Sequence, residues 1–455
     1  MISTLDTAPP IHRIKEGTQS LDREIFRKSI PVLAARIPAP KSGRFLDGLK
    51  NDVLDLRRCR TVVHDKEDKG RRLVLLNYQN RDELPARVNE FIEREGATLM
   101  VYEIELDYSY WTAVDILEAT LPEELCTELP TGFAAMGHLA HLNLNAEFLP
   151  YKYIIGQIIL DKNPRLRTVV NKLDTIHNQF RYFDMELIAG EPDFIVQHSE
   201  SNCRFTFDFR EVYWNSRLHT EHDRLVQLFQ PEDGVIADVM AGVGPFAVPA
   251  AKKGCTVLAN DLNPNSVKWL RKNVDDNNVS KNIRVYCEDG KDFIRLAFKR
   301  VFTEPFDPVC GQTLSKRKQQ KEERRRRLSA SKDEASVPNE PEPTPATPAL
   351  RNRIGHFVMN LPDSAIEFLD AFRGVLDPLD RELSGVYETM PMVHCHCFTR
   401  FLDAGLAEAD IRKRVEESLG GELEKEVTLH YVRSVAPNKD MYCISFRLPQ
   451  KLAFQ

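Results

Sequence analysis

The stretch from Asp238 to Phe246 has the clearest chemical content in the sequence, and it reads Asp-Val-Met-Ala-Gly-Val-Gly-Pro-Phe. It follows a short apolar run typical of a buried strand. Its two glycines, Gly242 and Gly244, allow the backbone to turn sharply and to approach a ligand without a Cβ clash. Asp261 ends the next strand, where a carboxylate can accept hydrogen bonds from both hydroxyls of a ribose. This arrangement predicts a site for a cofactor that contains a nucleoside.

Two further observations indicate which cofactor this is. Asp238 lies beside the glycine loop, where its charge would repel a pyrophosphate but suits the ammonium and sulfonium of S-adenosylmethionine. The second observation is the later motif Asn360-Leu-Pro362. Asp289, followed by Gly290, ends the third strand, where the adenine would lie. The glycines alone also satisfy the dinucleotide pattern G-x-G-x-x-G/A. A nicotinamide-dependent oxidoreductase and a glycine turn without any ligand therefore stay open as alternatives.

A second motif, Asn360-Leu-Pro362, follows the fourth strand of the same region. Residues just beyond the carboxyl ends of parallel strands line the ligand crevice, here beside the cofactor. A side-chain amide offers both a donor and an acceptor, which suits the edge of a guanine base. We therefore expect Asn360 to hold a planar nitrogen substrate; the alternative is an ordinary turn at a strand end.

Glu221 is the residue best suited to remove a proton. It lies with His222 in an aromatic and polar stretch just before the glycine region. A nitrogen such as N1 of guanine must lose its proton as a methyl group arrives, so a base within hydrogen-bond reach is useful. We expect burial to raise the pKa of this carboxylate towards usefulness. The alternative is a helix start in which Thr220 and Asp223 form a capping box and Glu221 is a first-turn acid.

The elements that position these residues alternate between strand and helix. Four short apolar runs predict strands, at residues 235–239, 256–259, 283–286 and 356–359. A helical pattern over 266–273 lies between the second and third of these runs. The alternation indicates βαβ units and a mostly parallel sheet, which is a Rossmann-like α/β domain over 226–455. Residues 312–350, a basic run followed by a Pro-rich tract, predict a disordered insertion.

The N-terminal half predicts two smaller α+β domains, over 46–125 and 131–225. A polar, proline-containing arm over 1–45 precedes them. Within the first domain, residues 84–95 predict a helix that is bounded by a proline and a glycine. Within the second, the isoleucine-rich run 153–160 predicts a strand.

The composition excludes several classes of protein. Lys+Arg is 62 and Asp+Glu is 68, which gives a net charge of −6, so any surface that binds nucleic acid must be local. The nine cysteines are scattered, which indicates reduced thiols. The run His394-Cys395-His396-Cys397 predicts no metal site, because the cysteines of a strand face one side and the histidines the other. No apolar run approaches the roughly 18 residues of a membrane span, and the N-terminus lacks a signal-peptide core.

Together these stretches resemble the archaeal and eukaryotic tRNA (guanine-N1)-methyltransferase family, which acts on guanosine 37. The resemblance spans about 100–447 and is carried by segments spread along it: Tyr108–Trp111, Leu121–Glu123, Arg181, Ala189–Glu191, Val212–Leu218, Glu221, Asp238–Phe246, Asp261–Pro264, Asp289–Gly290, Asn360–Pro362 and Val435–Pro437. It implies a class I S-adenosylmethionine-dependent methyltransferase fold with a middle α+β domain. It also implies a small N-terminal α+β domain that reads the shape of tRNA.

The resemblance assigns a role to each site residue. Glu221 would be the general base, Arg181 would stabilise the charge that builds on O6, and Asn360 would hold the guanine edge. The glycine loop would lie under the methionine end of S-adenosylmethionine. With Asp238, the cofactor contacts would come from His222, Gly242, Gly244, Asp261, Leu262, Asp289, Gly290 and Asn360.

The implied activity is transfer of a methyl group from S-adenosylmethionine to N1 of guanosine 37, next to the anticodon, which supports maintenance of the reading frame. The implied partner is a tRNA with G at that position, whose base must leave the anticodon-loop stack to reach the cofactor. We expect a monomer without metal or membrane partner, in the cytoplasm and nucleus, with a mitochondrial matrix pool left open. A methyltransferase acting on another RNA base or a protein amide, and a non-catalytic nucleotide-binding module, stay open as alternatives.

Overall fold

The computed structural model describes residues 5–176, 183–308, 351–377, 380–424 and 426–455. The chain divides into two compact units: Met1–Thr175 with Asp184–Phe194, and Ile176–Phe183 with Ile195–Gln455. The predicted insertion over 312–350 and the predicted site residue Arg181 lie outside the described residues. Within the described residues, no helix combines the length and the apolar character needed to span a membrane.

The first unit begins with a four-stranded antiparallel sheet in the order β2-β3-β1-β4. Its strands are β1 Lys28–Pro38, β2 Val62–His64, β3 Arg71–Leu75 and β4 Thr98–Leu106. The helices α1 Ser42–Gly48 and α2 Ala86–Arg94 cover one face, against the alternate β1 residues Leu33 and Ala35. The intervening residues Val32 and Ala34 enter a second core on the other face. Because both faces are buried, β1 has apolar residues in succession rather than in alternation.

The rest of the first unit combines two helices with a mixed sheet in the order β5-β6-β7-β8. Its elements are α3 Ala113–Thr120, β5 Ala134–Met136, β6 Leu139–Leu142, α4 Lys152–Lys162, β7 Thr168–Ile176 and β8 Phe183–Gly190. The predicted strand over 153–160 is wrong, because this run lies within α4. Its isoleucines at 154, 155, 158 and 159 form one buried face at helical spacing, which a short apolar run does not distinguish from a strand.

The structure draws the domain boundaries differently from the sequence analysis. The predicted arm over 1–45 contains β1, which pairs with both β3 and β4. Residues from 195 onward, which were predicted to belong to a middle domain over 131–225, group with the second unit. The reason lies in the hairpin of β9 Ile195–Glu200 and β10 Cys203–Asp208, which hydrogen-bonds to a helix of that unit: Thr206 N–H donates to Asn273 Oδ1 at 2.8 Å.

A seven-stranded sheet in the order β13-β12-β11-β14-β15-β17-β16 forms the second unit. Its strands are β11 Val235–Asp238, β12 Val257–Asn260, β13 Ile283–Tyr286, β14 Ile354–Met359, β15 Met392–Thr399, β16 Thr428–Ala436 and β17 Lys439–Arg447. The first five pair in parallel, and β17 and β16 complete the sheet antiparallel. The four predicted strands of the α/β region correspond to β11, β12, β13 and β14. The fold is therefore the predicted α/β class with a mostly parallel sheet.

Helices accompany this sheet: α5 His219–Leu228, α6 Ala247–Lys253, α7 Pro264–Asp276, α8 Gly290–Thr303, α9 Arg381–Gly385, α10 Ala404–Leu419 and α11 Gln450–Ala453. A 3-10 helix, Ala365–Phe372, packs with α8 and α10 into the main core of the unit. From β11 the chain proceeds to β12 and β13 on one side, and then returns to place β14 on the other side of β11. Such a reversal opens a crevice at the carboxyl ends of the two central strands.

Candidate functional site

The loop that follows β11 forms the floor of this crevice and is fixed by its own backbone. Ala241 N–H donates to the carbonyl of Asn260 at 2.7 Å, and Gly244 N–H donates to the carbonyl of Ala241 at 2.8 Å. Gly244 has a φ of +100°, and a Cβ there would lie 2.7 Å from the side chains of Val248 and Leu270. Glycine at 244 is therefore required both by its backbone conformation and by the close packing of α6 and α7.

Gly242 forms the open side of the loop. Its φ is +55°, and a Cβ at this position would meet nothing within 4 Å. Its N–H donates to Asp261 Oδ2 at 2.8 Å, while Asn263 N–H donates to Asp261 Oδ1 at 2.9 Å. The two bonds hold the carboxylate in one orientation, and the hydroxyl of Ser266 also hydrogen-bonds to it. Three donors leave room on the two oxygens for about one more, so the geometry suits acceptance of a ribose hydroxyl.

Asn260 joins the strand ends beneath the loop, and the sequence analysis did not single it out. Its fully buried amide donates to the carbonyls of Val239 at 3.1 Å and Glu288 at 3.0 Å. Its Oδ1 accepts from Glu288 N–H at 2.9 Å. The side chain thus links the carboxyl ends of β11, β12 and β13. The signal in the sequence was a polar residue that ends an apolar strand next to Asp261.

Asp238 is a fully buried carboxylate at the end of β11, and neither of its oxygens has a hydrogen-bond partner. Burial and the neighbouring Asp261 raise the pKa of Asp238 to about 8, against smaller opposing effects of His396 and the Ala247 backbone. Burying a carboxylate without a partner is costly. A cation bound in the crevice would offset that cost, so the residues present fit the ammonium and sulfonium of S-adenosylmethionine.

The far side of the crevice is formed by the segments after β12 and β13. Asp289 caps α8, where its Oδ1 accepts from Lys291 N–H at 2.8 Å. A Cβ on Gly290 would lie 3.0 Å from the ring of Phe368, so the backbone is closely packed there. Leu262 leaves 47% of its surface exposed, which is unusual for a large apolar side chain beside a buried carboxylate. An exposed leucine and a glycine-lined wall suit a flat, partly apolar group such as adenine.

Asn360 follows β14, on the other side of β11 from Asp261. Its Oδ1 is buried and has no hydrogen-bond partner. The following residues turn the chain away, because Ser364 N–H and Ala365 N–H both donate to the carbonyl of Leu361. A buried amide oxygen without a donor is expected to receive one from a ligand. The two polar groups without partners, Asp238 and Asn360, thus end the two central strands of the crevice.

Glu221, on α5, is nearly fully buried and held from two sides. Arg224 donates to both of its oxygens, Nε to Oε2 at 2.6 Å and Nη2 to Oε1 at 2.7 Å. His396 Nε2, on β15, lies 2.8 Å from Oε1. Burial alone would raise the pKa of Glu221, but these hydrogen bonds outweigh it and lower the pKa to about 2. The expectation of a raised pKa is therefore wrong, since it counted burial and missed the two cationic partners.

The alternative of a helix start is right in one part and wrong in the other. Glu221 does lie in the first turn of α5, but the helix starts at His219 without a side-chain cap, and Thr220 and Asp223 do not exchange the two bonds of a capping box. Asp223 instead accepts from the hydroxyl of Ser201 at 2.5 Å. The turn before α5 is stabilised by Asn215, whose Oδ1 accepts from the backbone N–H of the residue two positions later. The side chain of Glu221 is held by Arg224 on the same helix and by His396 on β15.

His222 is buried beside Glu221 on α5, and its Nδ1 lies 2.6 Å from Glu200 Oε1. Burial alone would raise the pKa of Glu200, but contacts with His198 and His222 lower it to about 2. The ring of His222 packs edge-on against Phe246, at the end of the glycine loop, with centroids 4.8 Å apart. Through this contact, the hydrogen bond between His222 and Glu200 supports one end of the loop.

His396 connects the proposed base to the cofactor loop. Its ring lies 5.8 Å from that of Phe246, and its charge acts on Asp238 as well as on Glu221. The structure therefore brings Glu221, Asp238 and the glycine loop together around one buried histidine. In the sequence, His396 was considered only as a possible metal ligand together with the neighbouring residues of its own strand. On β15, Cys395 and Cys397 do face the main core, away from the side that His396 presents to Glu221.

Comparison with protein-family models supports the division of the chain. Residues 113–193 match the TYW2 N-terminal domain, and residues 196–307 match the TRM5/TYW2 methyltransferase domain. Among solved structures, wild-type Trm5b from Pyrococcus abyssi is 21% identical, with a TM-score of 0.51 over 91% of this chain and 99% of that one. The complex of aTrm5 and tRNALeu gives a TM-score of 0.56 at 17% identity, over 92% and 100%. These likenesses concern the fold.

Curated relatives are similar over nearly their full length. A tRNA (guanine(37)-N(1))-methyltransferase of Coprinopsis cinerea is 56% identical over 99% of this chain and 98% of its own. Proteins of the same name from Schizosaccharomyces pombe and Saccharomyces cerevisiae are 45% and 39% identical. Both alignments cover 97% of this chain, with 96% and 94% of the relatives.

Proposed function

The chain belongs to the family of tRNA (guanine(37)-N(1))-methyltransferases, and from this premise we propose that it methylates N1 of guanosine 37 in tRNA with S-adenosylmethionine as the donor. Identity of 56% over nearly the whole of both chains supports this assignment. The sequence motifs, the parallel sheet and the crevice at its central strands agree with it.

One structural observation carries the proposal: a buried carboxylate and a buried amide oxygen, both without hydrogen-bond partners, lie at the ends of adjacent strands. Asp238 provides the negative charge for the cationic end of the cofactor. Asn360 provides an acceptor for the N–H groups on the edge of guanine. S-adenosylmethionine, when bound, supplies an electrophilic methyl group on its sulfonium. A dehydrogenase would instead place a pyrophosphate against Asp238, which like-charge repulsion opposes.

In the proposed reaction, the N1–methyl bond forms as the sulfur–methyl bond breaks, and the proton on N1 passes to a Glu221 oxygen. The guanine ring gains positive charge as the methyl arrives, so its N1 proton becomes acidic during the step. A carboxylate of low pKa can therefore accept it late in the step, provided that it is ionised and fixed in position. Arg224 and His396 meet both requirements, because their hydrogen bonds hold Glu221 as a carboxylate.

The positive charge that stabilises O6 is assigned to Arg181 by family resemblance. A guanidinium in a dry site can donate to O6 and stabilise the electron density that the departing N1 proton leaves on the ring. The proposal for Arg181 rests on the sequence. A variant Arg181→Lys keeps the positive charge but loses the paired hydrogen bonds that a guanidinium can donate. It therefore separates the contribution of charge from that of hydrogen-bond geometry.

The test of the base is Glu221→Gln, which keeps the size of the side chain and removes its ability to accept the proton. We expect methyl transfer to fall by roughly 10²–10⁴-fold. Binding of S-adenosylhomocysteine, measured by thermal shift, should persist. The matched control is Glu408→Gln, at an exposed position of α10. Turnover near that of the parent in Glu221→Gln would remove Glu221 from the role of base.

A further inference from the structure

Three metal-binding side chains converge behind the crevice, each from a different element of the second unit. Glu221 comes from α5, His396 from β15 and Cys443 from β17. A carboxylate oxygen, an imidazole nitrogen and the thiol sulfur all lie within 4.8 Å of one another, and all three residues are buried. These are three of the ligand types that Zn²⁺ takes in proteins.

The sheet register places a fourth donor in the same row. His396 is paired with Cys443 across β15 and β17, and Cys443 is paired with His430 across β17 and β16. Directly opposite residues of paired strands project from the same face. His430 Nε2 lies 3.6 Å from Glu221 Oε2, and 46% of its side chain is exposed. The row thus runs from the buried site to solvent, which gives an ion a route of entry.

One pair of donors lies close to the spacing that a tetrahedral ion needs. His396 Nε2 and Glu221 Oε1 are 2.8 Å apart and are joined by a hydrogen bond. Two zinc ligands with bonds near 2.0 Å lie about 3.3 Å from each other in a tetrahedron. An ion that replaces the bridging proton therefore has to widen this gap by only about half an ångström. We propose that Glu221, His396, Cys443 and His430 form a binding site for Zn²⁺, and that the bound ion withdraws Glu221 from catalysis.

Two of the proposed ligands are anionic in a zinc site. A carboxylate and a thiolate together supply two negative charges, which offset those of the ion, while Arg224 stays beside Glu221 as one further positive charge. Arg224 already holds both oxygens of Glu221 and can keep its hydrogen bond to Oε2 when the metal takes Oε1. Groups that hydrogen-bond to metal ligands orient them and commonly alter metal affinity by 10–100-fold.

The site is tested first by binding, using Co²⁺ as a spectroscopic substitute on the full chain after treatment with a chelator. We expect one equivalent of Co²⁺ to give a thiolate-to-cobalt charge-transfer absorption, which Zn²⁺ then displaces. The absorption should be lost in Cys443→Ser and should persist in Cys287→Ser, a control that removes an exposed thiol. His430→Ala, at a half-exposed position that the fold tolerates, should weaken Co²⁺ binding at least tenfold. Absence of the absorption, or its persistence in Cys443→Ser, would overturn the site.

The consequence for catalysis rests on the proposed role of Glu221 and is tested separately. Zn²⁺ should inhibit methyl transfer by the parent protein with the affinity measured in the binding experiment, and a chelator should restore the activity. Each variant is compared with its own metal-free rate. The Zn²⁺ concentration that halves this rate should be at least tenfold higher for Cys443→Ser than for Cys287→Ser. One bound equivalent of Zn²⁺ with unchanged turnover would overturn the inhibitory role. If the metal-free parent transfers no methyl group, the proposed function fails, while the cobalt absorption still decides the metal site.

Discussion

Asp238 should make cofactor binding depend on pH, because burial and the nearby Asp261 keep its carboxyl group mostly protonated. Burial and Asp261 raise the pKa of Asp238 to about 8. At pH 7 roughly one carboxyl in ten is then ionised, and ionising the rest costs about 1.4 kcal/mol, the equivalent of one pKa unit. A cationic ligand selects the ionised form. Its affinity should therefore rise about tenfold per pH unit below 8, or about 30-fold between pH 5.5 and 7.

The carboxyl group of Asp238 also affects the free energy of unfolding of the ligand-free protein. Its effect has the opposite sign from that of an ordinary paired aspartate. Its pKa in the folded state lies above the unfolded value, so it imposes no penalty below about pH 4. Between pH 4 and 8, Asp238 ionises more readily in the unfolded state than in the folded state, so the free energy of unfolding decreases as the pH rises. Bound ligand should remove this loss, because its cation stabilises the ionised form.

Calorimetry with S-adenosylhomocysteine, which keeps the ammonium group, measures the linkage directly. In two buffers of different ionisation enthalpy at pH 7, we expect release of about 0.9 proton for each ligand bound. Asp238→Asn should bind more weakly and lose both the proton release and the pH dependence. Asp292→Asn, at an exposed position of α8, should retain both. An affinity that is flat from pH 5.5 to 7, with no proton release by the parent protein, would refute the reasoning.

Three further substitutions probe the crevice and its support. Gly244→Ala places a Cβ 2.7 Å from two aliphatic side chains at a positive φ, so chemical denaturation should show a loss of about 1–3 kcal/mol; unchanged stability would contradict this packing. Asn360→Ala should raise KM for tRNA and lower kcat while S-adenosylhomocysteine still binds, and normal kinetics would exclude the guanine contact. The pKa of Glu200 is lowered to about 2 by His198 and His222, so its stabilising effect is full above about pH 4.5 and is lost as the pH falls towards 2. The melting temperature of Glu200→Gln should accordingly fall less steeply from pH 5 to 3 than that of the parent, and equal slopes would contradict the contribution of this pair.

The parts of the fold that local pattern determines were predictable. Four of the five parallel strands, β11 to β14, and helix α2 follow from short apolar runs and from the proline and glycine at helix ends. The parts that depend on distant partners were not. β1 was taken for an arm because a strand buried on both faces lacks alternation, and its partners lie far along the chain. Helix α4 was taken for a strand because an isoleucine-rich run suits both structures.

The residues of the candidate site also divide into those that the sequence could predict and those that it could not. Asp238, Asp261 and Asn360 could be found from the sequence because each directly follows a strand, and the ends of parallel strands meet at one edge of the sheet. His396 could not be assigned, because its role arises only when α5 packs beside β15. Arg224 lies three residues after Glu221 on the same helix, so helical spacing alone could have given this contact. The error in the pKa of Glu221 therefore has two causes: a local partner that was overlooked and a distant partner that the sequence does not give.

Methylation of N1 of guanosine 37 is tested by transfer from labelled S-adenosylmethionine to a tRNA transcript with G at position 37, beside an identical transcript with A there. We expect transfer to the first transcript alone, with the label recovered as 1-methylguanosine. Equal transfer to both transcripts, or transfer to neither by a chain that binds S-adenosylhomocysteine, would contradict this expectation.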